Sequence, residues 1–310
     1  MVVPQRIVSL LPSSTEILCA LGLEGSLVGL SHTCDYPPAV TALSRLTTPS
    51  SGMLEAEYAP DRAVAVVQAG LSPYHLDVEL LRTLQPDLIV TQDQAAVAGV
   101  SYAAIVEATA HVLGKQVEVL SLHPTLLQDI WDDIHRVGEA TQQQRQAATL
   151  LEALFARVNT VVAESIMVRE PPRVAMLVGT TPLMLAGYWL PDLMQLAGGT
   201  AGLCRPGAPA LVVEWAELQE YAPEVLLLCP SGSLLPHTRA VLPALQRLSG
   251  WDDLPAVRQG SVYVVDGQTY FHRPGPRIVD SLEILAGLLH PDLFGEFLPQ
   301  EGPLYCRVTT

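Results

Sequence analysis

The sequence predicts an α/β protein of two lobes, each built on a parallel sheet, joined by one long bridging helix and leaving a ligand cleft between the lobes. Three observations predict this class. Short apolar strands alternate with amphipathic helices, the alternation recurs in the second half, and a long proline-free helical stretch separates the halves. The resulting boundaries are an N-terminal lobe over 1–124, a bridging helix over 125–169 and a C-terminal lobe over 170–310. A chain of 310 residues has the length for two such lobes.

The first strand is Ile7-Val8-Ser9-Leu10-Leu11, ended by Pro12 and apolar enough to be covered on both faces. Ser13 and Glu16 have capping-box spacing, so a helix is expected from there to a stop at Gly22. Leu27–Leu30 reads as the next strand. Leu76–Leu84 has helical periodicity and ends before Pro86, after which Asp87–Thr91 is a strand. A helix near 101–113 and a strand at Val117–Leu120 complete the lobe. From Thr125 to Val168 there is no proline, Gly138 is the one glycine, and apolar residues recur in steps of three and four. At ~1.5 Å per residue such a helix would reach roughly 60 Å; the alternative is two antiparallel helices hinged at Gly138. A stiff link of this kind predicts limited closure of the cleft. In the second half, Arg173–Gly179, Val225–Leu228 and Ser261–Val265 read as strands, and Ile278–Leu289 as a closing amphipathic helix.

Composition excludes several classes. Lys plus Arg is 17 against Asp plus Glu 32, a formal charge of −15, which opposes nucleic acid and anionic membrane surfaces. The longest uncharged run, Val174–Pro191, is interrupted by Gly179, Pro182 and Gly187 and is not a membrane span. The five cysteines show no CxxC spacing. The N-terminus carries only Arg6 before an apolar stretch already claimed by the first strand. No export signal is read there, and the chain is expected in the cytoplasm, or in the periplasm or outside the cell if its true start lies upstream. It is read as a monomer. No phosphate loop, GxSxG or HExxH motif is present.

Ligands of open α/β sheets sit beyond the carboxyl ends of the strands. That rule selects Pro12 and Ser13, His32, Gln92 and Asp93, and the loop holding Tyr270, Phe271, His272 and Arg273. Adjacent aromatics in a polar loop offer flat apolar surface to a ligand. A neutral imidazole is able to ligate a metal ion, and His32 and His272 are the best-placed candidates for that role, with His75 next.

Several stretches resemble the helical-backbone (class III) substrate-binding proteins of ABC transporters, in their cobalamin-binding and iron-siderophore branch. They are Arg6–Glu16, Gly29–Pro38, Pro86–Asp93, Trp189–Pro191 with Leu196–Gly199, and Arg273–Asp280, in family order along nearly the whole chain. The resemblance implies two Rossmann-like lobes bridged by one helix and a corrinoid or related metal-tetrapyrrole, cobalamin foremost, as bound ligand, with no catalytic cofactor. It places Tyr270, Phe271, His272 and Trp189 at the cleft; Trp215, just before a helix, reads as core or rim and is a second-rank candidate. It further implies an ABC permease and ATPase as partners, docked through one acid on each lobe, here Glu79 and Glu217. Relatives often follow the Thr-Gln-Asp strand end with two cysteines; Gln94–Gly99 has none. The competing reading is a cytosolic tetrapyrrole binder or class II chelatase-like enzyme, in which His272 or His32 works with Asp93 on pyrrole protons.

Overall fold

The computed structural model describes residues 3–50, 73–92, 100–113, 117–230, 234–298 and 304–308. The chain divides into two compact units, residues 1–124 with 128–153, and 125–127 with 154–310. Among the described residues no helix is long and apolar enough to cross a membrane.

The first unit carries β1 (Ile7–Ser9), β2 (Leu27–Leu30), β3 (Thr47–Pro49), β4 (Tyr74–Leu76), β5 (Leu88–Gln92) and β6 (Glu118–Leu122). Its main sheet is parallel, in the order β2-β1-β5-β6, while β3 and β4 form a separate antiparallel ribbon. Ile7, Val8, Ile89 and Val90 are fully buried, as the uninterrupted apolar character of β1 and β5 requires. Each such side chain contributes roughly 1.5–3 kcal/mol by leaving water. Among the described residues, three helices lie between the strands: α1 (Pro12–Ala20), α2 (Val78–Leu84) and α3 (Tyr102–Val112). Asp77 caps α2 by accepting from Leu80 N at 2.8 Å, and Ser101 caps α3 through Ala104 N. The capping box expected from Ser13 and Glu16 does not form. Pro12 already occupies the first turn of α1, where its missing N–H costs nothing, and Leu11 stands at the N-cap.

The expected single helix over 125–169 is instead two, α4 (Leu127–Ala140) and α5 (Gln144–Ser165). A Schellman turn ends α4: Gln142 adopts φ +58°, its N–H bonds Glu139 O, and Gln143 N–H reaches back to Gly138 O at 2.7 Å. Gln rather than Gly takes the left-handed position, so the sequence showed no stop. Gly138 serves close packing instead of a hinge, since a Cβ there would stand 2.7 Å from Ala147 Cβ on α5. The boundary between the units falls inside α5, between Ala153 and Leu154. This 22-residue helix, about 33 Å long at ~1.5 Å per residue, is the continuous link. In the second unit Arg157 of α5 pairs with Glu283 and Asp280, both at 2.6 Å.

The second unit holds β7 (Val174–Thr180), β8 (Leu183–Leu185), β9 (Leu211–Val212), β10 (Val225–Leu228), β11 (Val262–Val265) and β12 (Tyr305–Arg307). Strands β11, β10 and β7 are parallel neighbours, as the sequence predicts. Antiparallel β12 on one side, and β8 then β9 on the other, extend this parallel set into a mixed sheet. Leu177, Leu226, Leu228 and Val264 lie at the centre of its core with Trp251. Helices α6 (Leu190–Leu196), α7 (Trp215–Tyr221), α8 (Leu235–Gln246), α9 (Pro255–Arg258) and α10 (Ile278–Leu289) cover the sheet.

Candidate functional site

In the first unit, the carboxyl ends of β1, β2 and β5 present Pro12 and Ser13, His32, and Gln92. Asp93 lies outside the described residues. Ser13 is buried and Pro12 half-buried. Behind them is a hydroxyl nest that sequence reasoning missed. Ser9 Oγ lies 2.7 Å from Ser14 Oγ and 2.8 Å from Thr15 Oγ1, and Thr15 Oγ1 also donates to Leu11 O at 3.0 Å. These bonds hold the turn from β1 into α1. The loop after β2 is clamped by Arg45, whose Nη1 donates to the carbonyls of Ser31 at 3.0 Å and Cys34 at 2.6 Å.

His32 is half-buried in that loop. Thr47 Oγ1 accepts its backbone N–H at 2.9 Å and lies 2.7 Å from its Nδ1. Its ring leans on Tyr74, with centroids 5.3 Å apart. Burial, then the Arg45 charge, lower its pKa and hold it neutral. The Thr47 contact at Nδ1 fixes the orientation of the ring. His75 is exposed on β4.

In the second unit the loop after β11 forms one wide π-type turn over Gly267–Phe271. Asp266 anchors it, accepting from Thr269 N at 2.8 Å and Thr269 Oγ1 at 2.9 Å. The expected pair of exposed aromatics is not found. Phe271 is 1% exposed and belongs to the core, where burial of its large apolar ring outweighs any loop preference. Tyr270 is half-buried, with the Arg277 guanidinium carbon 5.2 Å from its ring centroid. It borders a surface groove of about 280 Å³ with Asp280, Glu283 and Phe297. Arg273 is buried. His272 Nε2 donates to Cys229 O at 2.8 Å. Burial lowers the pKa of His272, opposed by that carbonyl bond, so the ring is neutral with its lone pair on Nδ1. Axial ligation through Nε2 is thus closed by the Cys229 carbonyl, and Nδ1 is the remaining donor.

Trp189 is likewise buried rather than an open wall: its Nε1 donates to Phe271 O at 3.0 Å. It is therefore joined to the 267–273 turn, although the two are 82 residues apart in sequence. Gly187 makes the approach possible, because a Cβ there would lie 2.4 Å from the backbone of Pro209 and Ala210. Tyr188, at φ +54°, turns the chain between them and stacks on Trp189 with centroids 6.0 Å apart. Nothing in the sequence singled out Tyr188. Trp215 is structural, stacked on Trp251 and donating from Nε1 to Ser249 O at 2.8 Å.

The two docking acids differ. Glu79 is exposed in the first turn of α2 and pairs with Arg82 at 2.5 Å. The Glu217 carboxylate is turned back onto its own helix, accepting from Glu214 N at 2.7 Å in a capping box. Among the described residues no cluster of His, Cys, Asp and Glu is arranged to hold a bare metal ion.

Two α/β units that gather polar and aromatic side chains at strand ends define a solute-binding protein. The chain belongs to the periplasmic binding protein family, whose pattern it matches over residues 7–269. It is 22% identical over 300 residues to the ABC transporter substrate-binding lipoprotein YvrC of Bacillus subtilis, covering 94% of this chain and 82% of that protein. It is 24% identical over 301 residues to the vitamin B12-binding protein of Photorhabdus laumondii, covering 93% and 88%. Its fold is that of a periplasmic heme-binding protein from Pseudomonas aeruginosa, with a TM-score of 0.70, 20% identity and 99% of each chain covered. The family and the Bacillus relative are substrate-binding proteins and not enzymes, so the chelatase-like alternative is set aside. They also overturn the cytoplasmic expectation, because periplasmic and lipoprotein relatives work outside the cytoplasm.

Proposed function

We propose that the protein binds cobalamin or a closely related corrinoid and delivers it to an ABC importer. The carrying observation is the similarity to a vitamin B12-binding protein along 93% of the chain. The strand-end residues support it. Neutral His32 and the braced turn of Tyr270, His272 and Arg273 supply the apolar surface and few fixed polar groups that suit a large, rigid ligand. Pro12, Ser13 and Gln92 add contacts from the first unit, while Trp189 and Phe271 hold the turn from behind. Of the acids, Glu79 is available for a transporter arginine, whereas Glu217 is committed to its helix cap.

The test is titration of the purified protein with cobalamin, cobinamide, hemin and a ferric siderophore. A corrinoid binds tightest, and Tyr270→Ala weakens it about tenfold, in line with roughly 1–1.5 kcal/mol for an aromatic contact. Tightest binding of hemin or of the siderophore would overturn the assignment, as would silence from all four at micromolar concentration.

A further inference from the structure

Cysteines 19 and 34 are the two in the first unit; the remaining three, Cys204, Cys229 and Cys306, are in the second. All five are free thiols in the structure. Cys34 is fully buried in the loop after β2, and its sulfur accepts from Thr15 Oγ1 at 3.1 Å. Thr15 lies on α1, and Cys19 is four residues further along the same helix. Residues four apart share one helix face, with roughly 5–6 Å between Cβ atoms. The Cys34 sulfur therefore packs against the face of α1 that carries Cys19, about one turn away. Closing an S–S bond there requires the two Cα atoms to stand about 4.4–6.8 Å apart.

We propose that Cys19 and Cys34 form a disulfide in the extracytoplasmic compartment, tying α1 to the loop after β2. Oxidising compartments favour such bonds in exported proteins. Two thiols lose two protons and two electrons as one S–S bond forms. A low-molecular-weight disulfide such as oxidised glutathione takes up both and leaves as two thiols. The bond joins the helix that begins with Pro12 and Ser13 to the loop that carries His32, so it braces two candidate ligand contacts. The Cys19 thiol is pushed up to about 12, first by burial, then by Glu24, Glu16 and Cys34. Burial also raises Cys34. Both thiols stay protonated in the folded protein, so the bond forms most readily while the chain folds.

The experiment refolds the full chain with oxidised glutathione, counts thiols under denaturing conditions and maps peptides without reduction. The expected result is loss of two of the five thiols and one cross-linked pair of peptides containing Cys19 and Cys34. Cys204→Ser still loses the same two thiols, whereas Cys19→Ser and Cys34→Ser lose none. Five thiols remaining after refolding, or a cross-link between any other pair, overturns the proposal. Because thiols and peptides are read directly, its failure leaves the corrinoid assignment untouched.

Discussion

Trp189→Phe separates a buried strut from a ligand wall. The substitution keeps an aromatic ring but removes the N–H that serves Phe271 O at 3.0 Å. The carbonyl is left without that donor in a buried place, at a cost of about 1–3 kcal/mol. The smaller ring adds about 1 kcal/mol of cavity cost. A domain of 150–250 residues loses roughly 2–4 °C of Tm per kcal/mol, so the second unit should melt roughly 5–15 °C lower. Differential scanning calorimetry reads the shift, and cobalamin titration well below the transition reads the site. The expected affinity loss is only a few-fold, because the 267–273 turn is loosened but its ligand-facing atoms remain. A Tm unchanged within about 1 °C, together with a hundredfold affinity loss, would refute the reasoning and make the indole a direct ligand surface.

Other perturbations test other joints. Asp133 on α4 is buried, bonded to Arg136 through Oδ1 at 2.7 Å, and has no partner for Oδ2 among the described residues. Burial above all pushes its pKa up from 3.8 to about 6, against the pull of Arg136. Folding therefore favours its neutral form: the contribution is complete below about pH 4 and is lost as pH rises through 6. Asp133→Asn should match the wild type near pH 4 and exceed it at pH 8 by roughly 1–2 kcal/mol; urea unfolding that finds it weaker at pH 8 contradicts this. Gly138→Val sets a branched side chain where even a Cβ lies 2.7 Å from Ala147. It should cost about 1–3 kcal/mol, part of which Ala147→Gly restores in the double variant, as chemical unfolding of the first unit will show.

Much of the architecture was legible because its signals are local. The runs Ile7–Ser9 and Val225–Leu228 are apolar throughout, and Pro86 and Pro223 mark where helices give way to strands. The break between α4 and α5 was not legible. Gln142 takes a conformation usually left to glycine, and the hydrophobic spacing continues on both sides of it. The antiparallel additions β8, β9 and β12 were missed for a related reason: strands of two or three residues are too short to show a period. Of the site, the strand-end rule located the right loops but not the exposure of their side chains. Phe271 and Trp189 look like ligand surface in sequence because aromatics in polar loops are scarce. Their burial depends on a bond between residues 82 apart, which no local pattern encodes. The Ser9–Ser14–Thr15 nest stayed hidden because small hydroxyls are common and only their convergence is informative.

The central claim is that the ligand is held at the carboxyl ends of the parallel strands. Hydrogen–deuterium exchange with and without cobalamin tests it most directly. Protection is expected around residues 11–14, 31–34 and 267–273. Protection centred instead on the amino ends of β7, β10 and β11, where Arg173, Glu224 and Ser261 border a cavity of about 350 Å³, would contradict it.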